Sequence, residues 1–404
     1  MKKLLITSEQ LVNPSNGQCA RYQVCALYEE DRMIEVELHQ ADAETILNNI
    51  YVARVKSVAA NLNAAFVEIA KGKVCYLPFE NIKQPIFTKK ISEKPIAEGE
   101  ELVVQVAKEA VKTKDAVVTT NLSFSGEYLA LTSANRRIGI SGKISGQERI
   151  RLQAFAQKLL EENEDIQKCF GLIFRTNAAQ AEEDLIREEF LKLKSEYETV
   201  TAYAASRTVY TCLRKEQPFY LKMLMDTEKT TLEEVVTDET MVFEELEAVS
   251  CGNFSVRFYE DRLLSLARLY NIAGQIEAAL KPRVWLKSGA NIVIEPTEAL
   301  TVIDINSGKN IAKKDKQQNH YKINLEAAKE IAFQLRLRNL SGIIVVDFID
   351  LYEDAWKQSL MEQLRSFLRK DPVPANLIDM TRLGLVEITR KKKKKPLLEQ
   401  LGNQ

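Results

Sequence analysis

Leu300-Thr-Val-Ile-Asp304-Ile-Asn306-Ser307-Gly308 and Ile343-Ile-Val-Val-Asp347-Phe-Ile-Asp350 are two apolar runs that each end on an aspartate. Both read as buried strands. An ionised carboxylate at the end of a buried strand is costly unless a cation meets it, so two of them brought together point to a hard divalent metal. Asp304 and Asn306 are two residues apart and share one face of a strand. Either aspartate alone would be an ordinary cap of the following helix or turn. The pair, with the asparagine, favours the metal.

Outward from these runs the pattern is that of an α/β layer. Leu325, Ala328, Ile331 and Leu335 mark the sheet-facing stripe of an intervening helix that Asn324 can cap, and Asn339-Leu-Ser-Gly342 turns the chain into the second run. Strands near 284–286 and 291–294 precede the first run, and a helix after Tyr352 and a strand over 384–389 follow the second. Strand, helix, parallel strand with carboxylates at strand ends gathers a site at the sheet edge. Arg390 and the lysines of 391–395 form a basic run that reads as a solvated end able to touch phosphate. Upstream, a helix over 262–280 places Leu266, Leu269, Ala273, Ile276 and Leu280 on one core-facing stripe.

Residues 1–40 alternate in short strand-like pieces, Tyr22-Gln-Val-Cys-Ala-Leu-Tyr28 and Met33-Ile-Glu-Val-Glu-Leu38, too few to fold without a partner from elsewhere in the chain. Five compact strands then follow at 50–58, 64–69, 74–77, 102–106 and 116–121, with one longer excursion over 81–99. Leu102, Val104 and Val106 alternate at period two, and Lys71-Gly72-Lys73 is a turn. This is the outline of a small OB-type barrel, a module that binds single strands through stacked aromatics beside cations. Phe66, Tyr76, Lys112 and Lys114 are its candidates, set against a plain reading in which Phe66 is core and the lysines are solvated. Beyond the barrel lie the loop Asn135-Arg-Arg-Ile-Gly-Ile-Ser-Gly-Lys143, helices over 147–162 and 181–193, and a strand ending in Arg175-Thr176. A guanidinium beside a hydroxyl can grip a phosphate, although the spacing alone favours an ordinary surface pair at a strand end.

Composition sets the outer limits. A chain of 404 residues, 45% apolar and 28% charged, has length for two to four domains. Its net charge of −1 neither requires nor excludes a nucleic-acid partner. The six cysteines are scattered without a C-x-x-C pair, which argues against a disulfide framework or a zinc site and fits a reducing cytoplasm. No run approaches a membrane span, and with only His39 and His320, both read as surface residues, histidine acid–base chemistry is not expected.

Three segments carry a resemblance: Glu298-Ala-Leu-Thr-Val-Ile-Asp-Ile-Asn-Ser-Gly308, Asn324-Leu-Glu-Ala-Ala-Lys-Glu-Ile-Ala-Phe-Gln-Leu-Arg-Leu-Arg-Asn339 and Gly342-Ile-Ile-Val-Val-Asp-Phe-Ile-Asp350. With their order along the chain, they resemble the catalytic region of the ribonuclease E/G family. The resemblance implies that Asp304 and Asp347 bind a catalytic magnesium, for which manganese can substitute, and that Asn306 orients Asp304. It implies that Phe66, Tyr76 and Lys114 contact RNA, and that Arg175 and Thr176 line a pocket for a 5′-monophosphate. The implied fold is a multidomain α/β chain: an RNase H-like domain from 1–44 and 215–280, an inserted S1 (OB-fold) domain over 45–122, a 5′-sensor region over 123–214, a DNase I-like domain over 281–391 and a basic tail over 392–404.

Three features depart from the family pattern. Arg390-Lys-Lys-Lys-Lys-Lys-Pro396 stands where relatives carry a zinc-linking cysteine motif, and no cysteine follows, so neither zinc nor a zinc-linked homo-oligomer is expected. The long scaffold of ribonuclease E is also missing, as in the shorter ribonuclease G type. In the sensor loop, Gly142 stands where a basic residue is common. The expected activity is magnesium-dependent endonucleolytic cleavage of single-stranded RNA in the cytoplasm by water attack, giving 5′-phosphate and 3′-hydroxyl ends, in processing of ribosomal RNA precursors and turnover of messenger RNA. The competing expectations are a non-catalytic RNA-binding or ribosome-associated factor with the same fold, and a DNA-directed nuclease.

Overall fold

The computed structural model describes residues 2–41, 45–110, 114–133, 137–163, 170–227, 231–250, 254–308 and 316–402. They form a mixed α/β protein of two units, residues 1–43 with 229–403, and residues 44–228.

The first unit contains two sheets. One has the strand order Ser255–Phe258, Leu232–Thr237, Lys2–Val12, Cys19–Glu29, Arg32–Gln40. Its long N-terminal hairpin is in register from Lys2 opposite Glu29 to Val12 opposite Cys19, and Lys2–Ile6 runs parallel to Leu232–Thr237. The partner strands that the N-terminal pieces lack are thus supplied from more than 200 residues away. The expected helix over 262–280 is two helices, Leu266–Leu269 and Ile272–Leu280, because Asn271 takes a left-handed φ of 47°. That break shifts the stripe: Leu266, Ala267, Ile272, Ile276 and Ala279 are buried, whereas Leu269 and Ala273 are exposed.

The second sheet has the order Arg283–Trp285, Asn291–Pro296, Leu300–Asn306, Gly342–Asp347, Leu385–Arg390, Ala375–Met380. Helices Lys316–Leu337 and Asp354–Arg369 bury Ile323, Ala327, Ile331, Leu335, Leu360 and Leu364 in one core with Ile303, Ile305, Ile344 and Val346. Among the described residues, these helices cover one face. Val302 and Ile343 are exposed on the other, so the two aspartate strands are half-buried rather than fully buried. Asn324 caps nothing. It sits inside the helix Lys316–Leu337, fully buried, with its amide donating to the Ile349 carbonyl at 2.7 Å and accepting from the Ile349 N–H at 3.1 Å.

The basic run is a solvated end only in its middle: Lys391, Lys392 and Lys393 are exposed, but the residues flanking them are held. Arg390 is buried, its guanidinium donating to Asp371 at 2.7 Å, to Asn339 Oδ1 at 2.8 Å and to the Leu340 carbonyl at 3.0 Å. Lys394 donates to Glu37 at 2.5 Å. The short helix Leu397–Leu401 then buries Leu397 and Leu401 in the core of the first sheet, at about 1.5–3 kcal/mol each. The Tyr22 hydroxyl donates to the Leu401 carbonyl at 2.9 Å.

In the second unit, strands Ile50–Ala59, Ala64–Ala70, Lys73–Pro78, Ala116–Thr119 and Glu101–Lys108 pair in that order, and the last returns to the first, closing a five-stranded barrel. Val55, Val67, Cys75, Leu102, Val104 and Val106 fill it. A four-stranded sheet follows, ordered Ser123–Ser125, Leu129–Thr132, Gly171–Phe174, Ile138–Ile140, with helices Gly146–Glu161 and Glu183–Ser206 contributing to its core. The helix Phe219–Asp226 belongs to this unit.

Candidate active site and nucleic-acid interface

The central pair of the second sheet is parallel, and its register sets Asp304 directly opposite Asp347. Adjacent strands lie about 4.7–4.9 Å apart, and residues opposite each other point to the same face. Ile303, Ile305, Val346 and Phe348 point into the core, which leaves both carboxylates on the open face. Asn306, next on that face, donates its amide to Asp304 Oδ2 at 2.7 Å. The burial argument for a metal therefore fails, because these groups remain solvated. The argument from convergence stands: two carboxylates from distant segments share one spot, and no lysine, arginine or histidine among the described residues forms an ion pair with either.

The surroundings are built to hold this edge. Asn324 pins the backbone two residues beyond Asp347, Gln317 accepts from the Tyr352 N–H at 3.0 Å, and Gly308 closes the turn after Asn306. Gly308 has a φ of 64°, and a Cβ there would sit 2.6 Å from the Gly289 carbonyl oxygen, so only glycine fits. The donor set is oxygen alone, which suits magnesium, a cation that keeps several waters and takes one or two carboxylates. Among the described residues no group of three or more His, Cys, Asp or Glu is placed to hold a metal.

On the barrel, Phe66 stands opposite Tyr76 on neighbouring strands, with ring centroids 5.8 Å apart in an edge-to-face pair. Their neighbours Ala65, Val67, Cys75 and Leu77 fill the interior, so both rings face outward, half-buried, and Phe66 is not core. Lys114 is exposed just ahead of the strand whose Val117 pairs with Tyr76. Lys112 lies outside the described residues, as do Asn135 and Arg136 of the sensor loop.

Arg175 and Thr176 follow the strand Gly171–Phe174. The Thr176 and Ser141 hydroxyls are 3.0 Å apart, and Arg149 donates to the carbonyls of Ser141 and Ile144 at 3.3 Å each. Arg175 is engaged at two points, donating to the Gly126 carbonyl and to Asp226. The loop bearing Gly126 is itself held by Glu189, whose carboxylate accepts from the N–H groups of Glu127, Tyr128 and Leu129. Burial pushes the Glu189 carboxyl upward despite these bonds. Neither Asp226 nor Ser141 was identified from sequence. Asp226 lies 51 residues from Arg175, and an isolated aspartate near a helix end carries no mark of its partner.

The profile of the Ribonuclease E/G family matches residues 123–393. The chain is 33% identical to the Haemophilus influenzae protein named Ribonuclease G, over 92% of this chain and 78% of that one. It is 31% identical to Ribonuclease E of Synechocystis and 31% identical to Ribonuclease E of Escherichia coli, over 95% and 91% of this chain. It spans 57% and 35% of the length of those two relatives. No helix among the described residues is long and apolar enough to cross a membrane.

Proposed function

Because the chain belongs to the ribonuclease E/G family of endoribonucleases, we propose that it cuts single-stranded RNA with magnesium held by Asp304 and Asp347. In this proposal the first sheet is the RNase H-like domain, the barrel is the S1 (OB-fold) domain, the four-stranded sheet is the 5′-sensor and the aspartate-bearing sheet is the DNase I-like domain. The observation that carries it is the register of Asp304 against Asp347. A binding-only protein has no physical use for two adjacent unneutralised carboxylates facing a polyanion.

Bound magnesium would supply Lewis-acid stabilisation of the charge growing on the scissile phosphate and lower the pKa of water beside it; manganese would serve in its place. The chain's own residues orient the reaction. Asn306 fixes one oxygen of Asp304 and leaves the other open, and Asn324 holds the turn beyond Asp347. Water attack at phosphorus breaks the bond to the 3′ oxygen and leaves a 5′-phosphate and a 3′-hydroxyl. Phe66 and Tyr76 stack bases at about 1–3 kcal/mol each, tolerant of sequence, with Lys114 on the backbone. Arg175 and Thr176, with Ser141 beside them, take a 5′-monophosphate, tethering the strand away from the cut. The scattered cysteines, without a C-x-x-C pair, suit a reducing cytoplasm, where ribosomal RNA precursors and messenger RNA are the substrates proposed.

Asp304→Asn and Asp347→Asn, assayed on a labelled unstructured oligoribonucleotide with magnesium, are expected to lose about 100-fold or more of the cleavage rate while still binding the strand. Undiminished cleavage by either variant would discard this site.

A further inference from the structure

A third aromatic ring stands on the outer face of the barrel. Glu68 follows Phe66 by two residues on the strand Ala64–Ala70 and points to the same side. Its carboxylate accepts the hydroxyl of Tyr210 at 2.6 Å, which places Tyr210 further along the strand, by about 7 Å at the usual rise. Tyr210 arrives from a different segment. Its N–H donates to the Val52 carbonyl at 2.7 Å, just ahead of the edge strand Cys212–Arg214. Its φ of 73° is an expensive backbone for an aromatic residue, one that glycine or asparagine would adopt more cheaply. The ring takes no part in the barrel core and is half-exposed.

The surroundings are cationic on balance. The Arg54 guanidinium lies 5.7 Å from the Tyr210 ring centroid, and Lys56 Nζ lies 3.9 Å from Glu68. Lys71 and Lys73 are exposed on the turn whose Gly72 N–H donates to Glu68 at 2.8 Å. Two carboxylates here are engaged, Glu68 as described and Glu101 by Arg54 at 2.9 Å. Four cations thus stand around two hydrogen-bonded acids, beside a half-exposed ring with Arg54 over one face. The charge suits a polyanion, and the patch is continuous with the Phe66–Tyr76 pair.

We propose that Tyr210 is a third base-stacking platform, taking the nucleotide beyond the one held at Phe66, with Lys56, Lys71 and Lys73 along the backbone. This rests on Phe66 and Tyr76 forming the RNA-binding face. The test is fluorescence anisotropy with unstructured oligoribonucleotides of two lengths, one spanning both positions and one too short to pass Phe66. An Asp304→Asn background prevents cleavage. Tyr210→Ala is expected to weaken binding of the long strand by about 5- to 150-fold and to leave the short one unchanged. Tyr210→Phe keeps the ring and should bind as the parent does, whereas Phe66→Ala should weaken both lengths. Unchanged long-strand binding by Tyr210→Ala beside a weakened Phe66→Ala would overturn the inference and leave the face standing. If Phe66→Ala is silent as well, the face itself is wrong. Equal losses on both lengths, or in Tyr210→Phe as in Tyr210→Ala, would assign Tyr210 to the fold and also overturn the stacking role.

Discussion

Replacing Asn324 separates the support of the proposed metal-binding edge from its chemistry. The amide is fully buried and makes two hydrogen bonds to one backbone unit, Ile349, at 2.7 and 3.1 Å. Asn324→Ala removes both bonds, worth about 0.5–1.5 kcal/mol each, and leaves a half-buried peptide N–H and carbonyl to find other partners, for a total of about 2–4 kcal/mol. For a unit of this size that is a fall of about 4–16 °C in melting temperature. Asp347 itself is fixed in the sheet between Asp304 and Leu385, so the carboxylate should stay while the Phe348–Asp350 turn loosens. The magnesium concentration for half-maximal cleavage should accordingly rise by about 10- to 100-fold, with the rate at saturating metal much less affected. Asn324→Leu restores volume without polarity and should remain destabilised. The assays are calorimetry and a metal titration of cleavage. An Asn324→Ala protein melting within about 1 °C of the parent would refute the reasoning, since the turn would then be held by something else.

Burial alone would raise the Glu37 carboxyl, but hydrogen bonds and charges from His39 and Lys394 hold it down to about 2, against an ordinary 4.5. A carboxyl depressed on folding contributes stability that is whole above pH 4.5 and disappears as pH falls toward 2, here about 3 kcal/mol; urea melts at pH 6 and pH 3 should show a smaller acid loss in Glu37→Gln than in the parent. The buried Arg390–Asp371 pair, 2.7 Å apart, predicts that Asp371→Ala loses about 3–5 kcal/mol by stranding a charge, and that adding Arg390→Met recovers much of it, both measurable by chemical denaturation.

Sequence legibility followed the range of the interactions. Period-two alternation identified Leu102, Val104 and Val106 as barrel-facing, and all three are fully buried. The need of the N-terminal strands for a remote partner was readable because residues 1–40 cannot bury both faces alone. Features set by one backbone angle or one remote contact were not. Asn271 reads as an ordinary helix residue until its φ is known. Asn324 looked like a cap because asparagine usually is one, and only the proximity of Ile349 makes it a buried bracket. The lysines of 391–395 read as solvated because charge runs usually are, and Lys391, Lys392 and Lys393 are exposed, but Lys394 meets Glu37 on a strand more than 350 residues earlier.

The aspartate pair leaves the proposed cation resting on a different argument from the one the sequence offered. The expectation of a cation rested on desolvation, and the open sheet face removes that cost. What remains is repulsion between like charges set opposite each other, about 1 kcal/mol in water at 5 Å and a few times that near a protein surface. Cross-strand like-charge pairs are destabilising, and a sheet selected only for folding would place Thr, Val or an opposite charge at one of the two positions. Asn306 compounds the choice, since it spends its amide holding Asp304 in place instead of relieving the charge. The repulsion is tolerable in the free protein because water screens it. It becomes an advantage only when something doubly positive sits between the carboxylates. An exposed pair is also one that a phosphodiester backbone can approach, whereas a buried pair could hold a metal but never present it to a polymer. Exposure, which weakens the thermodynamic case for a structural ion, thereby strengthens the case for a catalytic one.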